Sequence, residues 1–113
     1  MKEQRIKRIG FAEPSIKKAF NDLEKGKHED KELFRFLQRA IEDLKSNPFS
    51  GIRVPSRLWP KEYIKKYKIN NLRKYDLPNA WRLIYTIKGN EVEIVSVLIE
   101  WFDHKKYERK FKY

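Results

Sequence analysis

The sequence predicts an α+β fold: an N-terminal helical hairpin packed on a small twisted antiparallel sheet, with a short C-terminal helix. Three observations carry this reading. Apolar residues recur at helical spacing in two early segments. The pattern then changes to β-branched and aromatic runs punctuated by Gly, Pro and Asn. A final amphipathic stretch follows the last run.

Arg5 to Phe11 reads as a short strand of weak pattern, which suits a sheet edge. Pro14 fits the first turn of a helix, with Glu13 just ahead of it at the positive end of the dipole. Ile16, Ala19, Phe20 and Leu23 share one face of that helix, and Gly26 stops it. A second helix is expected over Asp30 to Lys45. Its apolar stripe is Leu33, Phe34, Leu37, Ala40, Ile41 and Leu44, broadened by Phe36, and Asn47-Pro48 ends it. Two such helices joined by a few residues form an antiparallel hairpin whose apolar side needs a sheet to cover.

Ser46 to Trp59 is proline- and glycine-bearing and reads as a loop, with a helical turn at Lys61 to Tyr67. The segment is basic, with Arg53, Arg57, Lys61, Lys65 and Lys66. Ile69 to Leu77 then reads as a strand, Pro78-Asn79 as a turn, and Arg82 to Lys88 as a second strand. Gly89-Asn90 is expected to be a two-residue hairpin turn into Glu91 to Trp101. That strand is apolar on both parities, as an interior strand should be. Asp103 is placed to cap a last helix, His104 to Lys112, with His104, Tyr107 and Phe111 on one face.

The chain has 113 residues, the usual size of one domain. It contains no cysteine, so disulfides and thiolate metal sites are excluded. No apolar run approaches the length of a membrane span, and Met1 to Gly10 lacks the apolar core of a signal peptide. A soluble, cytoplasmic protein is expected.

Lysine and arginine total 27 against 16 aspartates and glutamates, a formal net charge of +11. So strong an imbalance in a small domain points to a polyanionic partner, above all RNA. The competing explanation is a lysine-rich surface that serves solubility.

Three groups of residues are candidates for chemistry. Arg73, Lys74, Tyr75, Trp81 and Arg82 surround one strand turn. Guanidinium groups grip phosphate and flat rings stack on unpaired bases. The plainer reading is a solvated strand edge with Trp81 over the core. Arg82 opens an apolar strand, where a rigid scaffold would hold it to stabilise charge on a phosphate. Its plainer role is a salt bridge to Glu93 or Glu100. His104 and Tyr107 form the third group: a proton carrier and a residue able to orient phosphate. Only two histidines exist, His28 and His104, and neither has metal-ligand spacing. No phosphate-binding glycine loop is present, so no metal and no nucleotide cofactor is implied.

Three segments, NLRKYDLP (Asn71 to Pro78), AWRLIYT (Ala80 to Thr86) and IEWFDHKKYERKF (Ile99 to Phe111), join the helical hairpin in a familiar order. Together they resemble the RelE/ParE superfamily of type II toxins, in particular its archaeal RelE-like members. The resemblance implies one RelE-like domain over residues 1–113. It also implies a toxin that enters the ribosomal A site and cuts mRNA there, without a metal, using the ribose 2′-hydroxyl as nucleophile.

By that resemblance Arg82 stabilises the phosphorane. Tyr107 stacks on or orients the substrate, and His104 is acid or base. Arg73 and Lys74 are expected to hold phosphates, and Tyr75, Trp81, Lys105 and Lys106 complete the expected RNA-binding surface. Strand parity groups Arg73 with Tyr75 and Lys74 with Leu72, and it does not say which cation faces the site. Asp103 and Tyr75 stand where some members carry basic residues. The implied partners are mRNA on the ribosome and a cognate acidic antitoxin, in a homodimer or a toxin–antitoxin hetero-oligomer. A non-catalytic RNA binder and a gyrase-directed, ParE-like toxin are the alternatives.

Overall fold

In the computed structural model, which describes residues 4–111, the chain follows the expected α+β order, with a short strand and 3-10 turns added. Strand β1 (Ile6–Phe11) leads into helices α1 (Pro14–Leu23) and α2 (His28–Ser46). Pro14 opens α1 as its ring geometry favours. The Asp30 carboxylate accepts the Lys27 backbone N–H at 3.1 Å, so α2 begins two residues earlier than its apolar stripe suggests. Leu33, Leu37, Ala40 and Leu44 form the buried side of α2.

The Ser46–Trp59 segment is not a plain loop: it contains a two-residue strand, β2 (Ile52–Arg53), and single 3-10 turns at Pro48–Ser50 and Ser56–Leu58. The helical turn expected over Lys61 to Tyr67 forms as helix α3 (Lys61–Tyr67). Then come β3 (Arg73–Asp76), β4 (Arg82–Gly89), β5 (Glu93–Phe102) and α4 (His104–Phe111). The expected end of the last helix at Lys112 lies outside the described residues.

The sheet order is β1-β5-β4-β3-β2. The pairs β2/β3, β3/β4 and β4/β5 are antiparallel as expected, but β1 lies parallel to β5, so the sheet is mixed. Two helices between β1 and the rest of the sheet let the chain re-enter at the opposite edge, which a tight hairpin would not allow. The β4–β5 connection also differs from a two-residue turn. Asn90 accepts the N–H groups of Val92 and Glu93 on its side-chain oxygen, at 2.8 and 2.9 Å, and so builds a longer turn.

Both faces of the sheet are covered. Leu77, Leu83, Tyr85 and Leu98 meet the α2 stripe on one face. Ile84, Ile99, Tyr63, Tyr107 and Phe111 pack on the other, under α3 and α4. A bulge allows β5 to serve both. Ile84 pairs with Glu100 and Tyr85 with Leu98, leaving Ile99 as the extra residue. Among the described residues no helix is long and apolar enough to cross a membrane.

Tyr85 ties the Pro48–Gly51 segment to the sheet. Fully buried, it donates its hydroxyl to the Pro48 carbonyl at 2.7 Å and accepts the Gly51 N–H at 3.0 Å. A Cβ on Gly51 would lie 2.6 Å from that hydroxyl and 2.7 Å from the Lys74 carbonyl oxygen, so only glycine permits the approach. Tyr85→Phe strands a buried donor and acceptor together. It is expected to cost about 1–3 kcal/mol in a urea unfolding titration, and an unchanged midpoint would show that the tether contributes nothing.

Candidate functional site

The antiparallel register of β3 with β4 sets the site. Asp76 stands opposite Arg82 and Lys74 opposite Ile84, so Lys74, Asp76 and Arg82 share the face covered by α4. The intervening turn holds Asn79 and Ala80 at φ of 60° and 63°, a conformation costly for an alanine. Asp103 caps α4 by accepting the Lys106 N–H at 2.9 Å, which fixes the helix directly after β5.

The helix brings Tyr107 down onto the sheet. Its ring is 3% exposed and stacks on Phe111 with centroids 4.6 Å apart. The Lys74 ammonium lies 5.5 Å and the Arg82 guanidinium 5.8 Å from the centre of that ring. Both fall within cation–π range. Arg82 and Tyr107 therefore meet on one side of the molecule.

Arg82 is held incompletely. Its Nε is 3.0 Å from an Asp76 carboxylate oxygen, the distance of an ion pair. The N–H is not directed at that oxygen, and buried Nε has no hydrogen-bond acceptor among the described residues. One Nη donates to the neighbouring Trp81 carbonyl at 3.3 Å. The plainer alternative, a salt bridge from Arg82 to Glu93 or Glu100, does not form among the described residues. Glu93 pairs with Arg8 at 2.7 Å, and Glu100 accepts from the Tyr63 hydroxyl. A guanidinium beside a second cation, Lys74, is the kind of charge pair that suits an anionic oxygen.

The remaining candidates separate. Arg73 and Tyr75 point to the opposite face, toward the helical hairpin. Arg73 donates to the Gly51 carbonyl at 2.6 Å and lies over the Phe49 ring. The Tyr75 hydroxyl donates to the Asp43 carboxylate of α2, and Trp81 packs against the helical core. These three do not join Lys74 and Arg82, because alternate residues of a strand face opposite sides. His104 is exposed, one turn before Tyr107, with Nε2 2.9 Å from a Glu108 carboxylate oxygen. Lys105 and Lys106 are exposed on the outer side of α4. Asp76 went unnoticed in the sequence reading. The signal was present, since an antiparallel turn centred on Pro78–Ala80 sets residue 76 against residue 82.

No group of three or more acidic, histidine or cysteine side chains able to hold a metal occurs among the described residues.

A basic α+β domain with cations gathered on one face of its sheet is the class that the fold and site define. The family model for the ParE toxin of the type II toxin–antitoxin system, parDE, matches residues 12–100, and the chain belongs to that family, within the RelE/ParE superfamily. Membership makes it a type II toxin and implies a cognate antitoxin as partner. The match ends at the end of the bulge in β5, before α4 with His104 and Tyr107. No curated protein and no solved structure matches the chain.

Tyr75 is predicted to serve stability and not RNA contact. Burial, and then the Asp43 carboxylate, push its phenol up to about 12. A raised folded-state pKa favours the protonated form. The stabilisation is then complete below the free tyrosine pKa near 10, and it fades as pH rises through the folded value. The gap in urea midpoint between wild type and Tyr75→Phe should be constant at neutral pH and close in alkali. A gap that widens in alkali would contradict this assignment.

Proposed function

We propose that this toxin is a ribosome-dependent mRNA endoribonuclease that inhibits translation and works in the cytoplasm as one RelE-like domain over residues 1–113. The observation that carries the reading is the gathering of Lys74 and Arg82 on the Tyr107 ring. Two fixed cations on a rigid sheet suit the extra negative charge of a phosphorane.

The reaction needs no metal. The ribose 2′-oxygen attacks the adjacent phosphorus, the bond from phosphorus to the 5′-oxygen breaks, and a 2′,3′-cyclic phosphate and a 5′-hydroxyl result. A base takes the 2′-hydroxyl proton, and an acid returns a proton to the leaving oxygen. His104, near the N-terminus of α4, is the candidate for either proton transfer. Tyr107 is too buried to receive a base on its ring. In this reading it holds Lys74 and Arg82 in place. Lys105 and Lys106 supply outer phosphate contacts, and the acidic segment of an antitoxin would neutralise the same surface.

One observation favours a second reading. The Asp76 carboxylate beside Arg82 opposes an incoming phosphate. That suits a gyrase-directed toxin on the same scaffold, which needs no phosphate at Arg82.

Primer extension on mRNA in a translating extract separates the readings. Wild type is expected to cut within the ribosomal A site. Arg82→Ala should slow cutting by about 10²–10³-fold, the usual loss of one donor to a developing oxyanion. Asp76→Asn should accelerate it. If wild type leaves mRNA intact, the ribonuclease reading falls. Salt-sensitive RNA retention would then support the binder, and inhibition of gyrase supercoiling the ParE-like toxin.

A further inference from the structure

A second basic surface lies apart from Lys74 and Arg82. The segment ahead of α3 and the last turn of α4 enclose a cleft of about 560 Å³, bordered by Arg57, Trp59, Lys61, Arg109 and Lys110. Trp59 also borders a neighbouring cleft of about 500 Å³, whose cation is Arg53. The two clefts thus meet at one flat ring.

The charges in this groove are largely uncompensated. Glu62, the acid of the first cleft, pairs with Lys110. Burial lowers the Lys110 pKa, and its ammonium sits 5.4 Å from the centre of the Tyr63 ring, so Lys110 fastens α4 to α3. Arg53, Arg57, Lys61 and Arg109 are exposed and enter no ion pair among the described residues. Trp59 is half-buried, and its indole N–H donates to the Val54 carbonyl at 2.8 Å, which fixes the ring orientation.

We propose that this groove binds a segment of single-stranded RNA, with an unpaired base against Trp59 and phosphates on Arg57, Lys61 and Arg109. A fixed ring flanked by exposed cations is how sequence-tolerant single-strand binding is built. An acidic peptide would use the cations and leave the ring idle. Leu58 and Trp59 pack on the same core as Tyr107 and Phe111, so the groove flanks α4 on the sheet face that carries Arg82. The site stands independently of any cleavage chemistry.

The test is fluorescence anisotropy with a labelled oligouridylate of about twelve nucleotides, within the usual span of a single-strand site. Arg57→Gln with Arg109→Gln should weaken binding about tenfold or more and make the salt dependence shallower by about 1.4, two phosphate contacts at roughly 0.7 each. A control with Lys17→Gln and Lys31→Gln, on the helical hairpin, carries the same charge change and should lose far less. Oligouridylate should quench tryptophan fluorescence in wild type, and Trp59→Phe should remove most of the quench although Trp81 and Trp101 remain. Equal losses in the two double variants overturn the proposal. So does quenching that survives in Trp59→Phe. A polyglutamate peptide that binds the groove more tightly than RNA, and is lost in the Arg57/Arg109 variant, assigns it to an acidic protein instead. The binding assay contains no ribosomes and reads the Trp59 ring directly, so a failed cleavage assay and a failed groove are told apart.

Discussion

The docking of α4 onto the second face of the sheet is the interaction on which the site depends. Tyr107 and Phe111 stack on each other and are buried against Ile84 and Ile99. Burying a large side chain contributes about 1.5–3 kcal/mol, so these two rings are the main anchors of a helix that is otherwise lysine-rich. Once docked, the Tyr107 ring offers its negative face to two cations that would repel each other in isolation. Cation–π attraction of about 0.5–1 kcal/mol each at exposed sites and the nearby Asp76 carboxylate offset that repulsion. The charge cluster is therefore a product of core packing and not of the cations themselves.

The same face carries a second burden. The bulge at Ile99 turns both Ile99 and Glu100 toward α3, where Glu100 takes the Tyr63 hydroxyl. Glu13, at the start of α1, accepts from the Tyr67 hydroxyl at 2.6 Å and pairs with Lys66 at 3.0 Å. The Tyr67 and Lys66 contacts hold its carboxyl below the usual range. Acids are thus spent on tethering α3, while Arg53, Arg57, Lys61 and Arg109 stay open to solvent. In a chain with a net charge of +11, the partly buried acids Glu13 and Glu100 thus serve to tether α3.

Family membership rests on residues 12–100, which hold the helical hairpin and most of the sheet. The groups with chemical potential sit at the margins of that scaffold: Arg82 at the mouth of β4, Tyr107 on α4, Trp59 in the segment between α2 and β3. Such a distribution is common, because a rigid scaffold leaves its edges and connections free to vary.

The element order, the amphipathic face of α2, the Asp103 cap and the edge position of β1 were all legible in the residues, because each depends on local periodicity or on a short-range hydrogen bond. So was the position of Arg82 at the head of an apolar strand. What tertiary structure alone decided was direction. Strand parity paired Arg73 with Tyr75, but only the helices on either side revealed which face was which. That turned Arg73, Tyr75 and Trp81 toward the hairpin and left Lys74 with Arg82. The parallel placement of β1, the bulge at Ile99 and the meeting of Trp59 with the last turn of α4 also lay beyond reach. They join residues far apart in sequence, and such contacts are chosen by the packing of the whole core rather than by any local pattern.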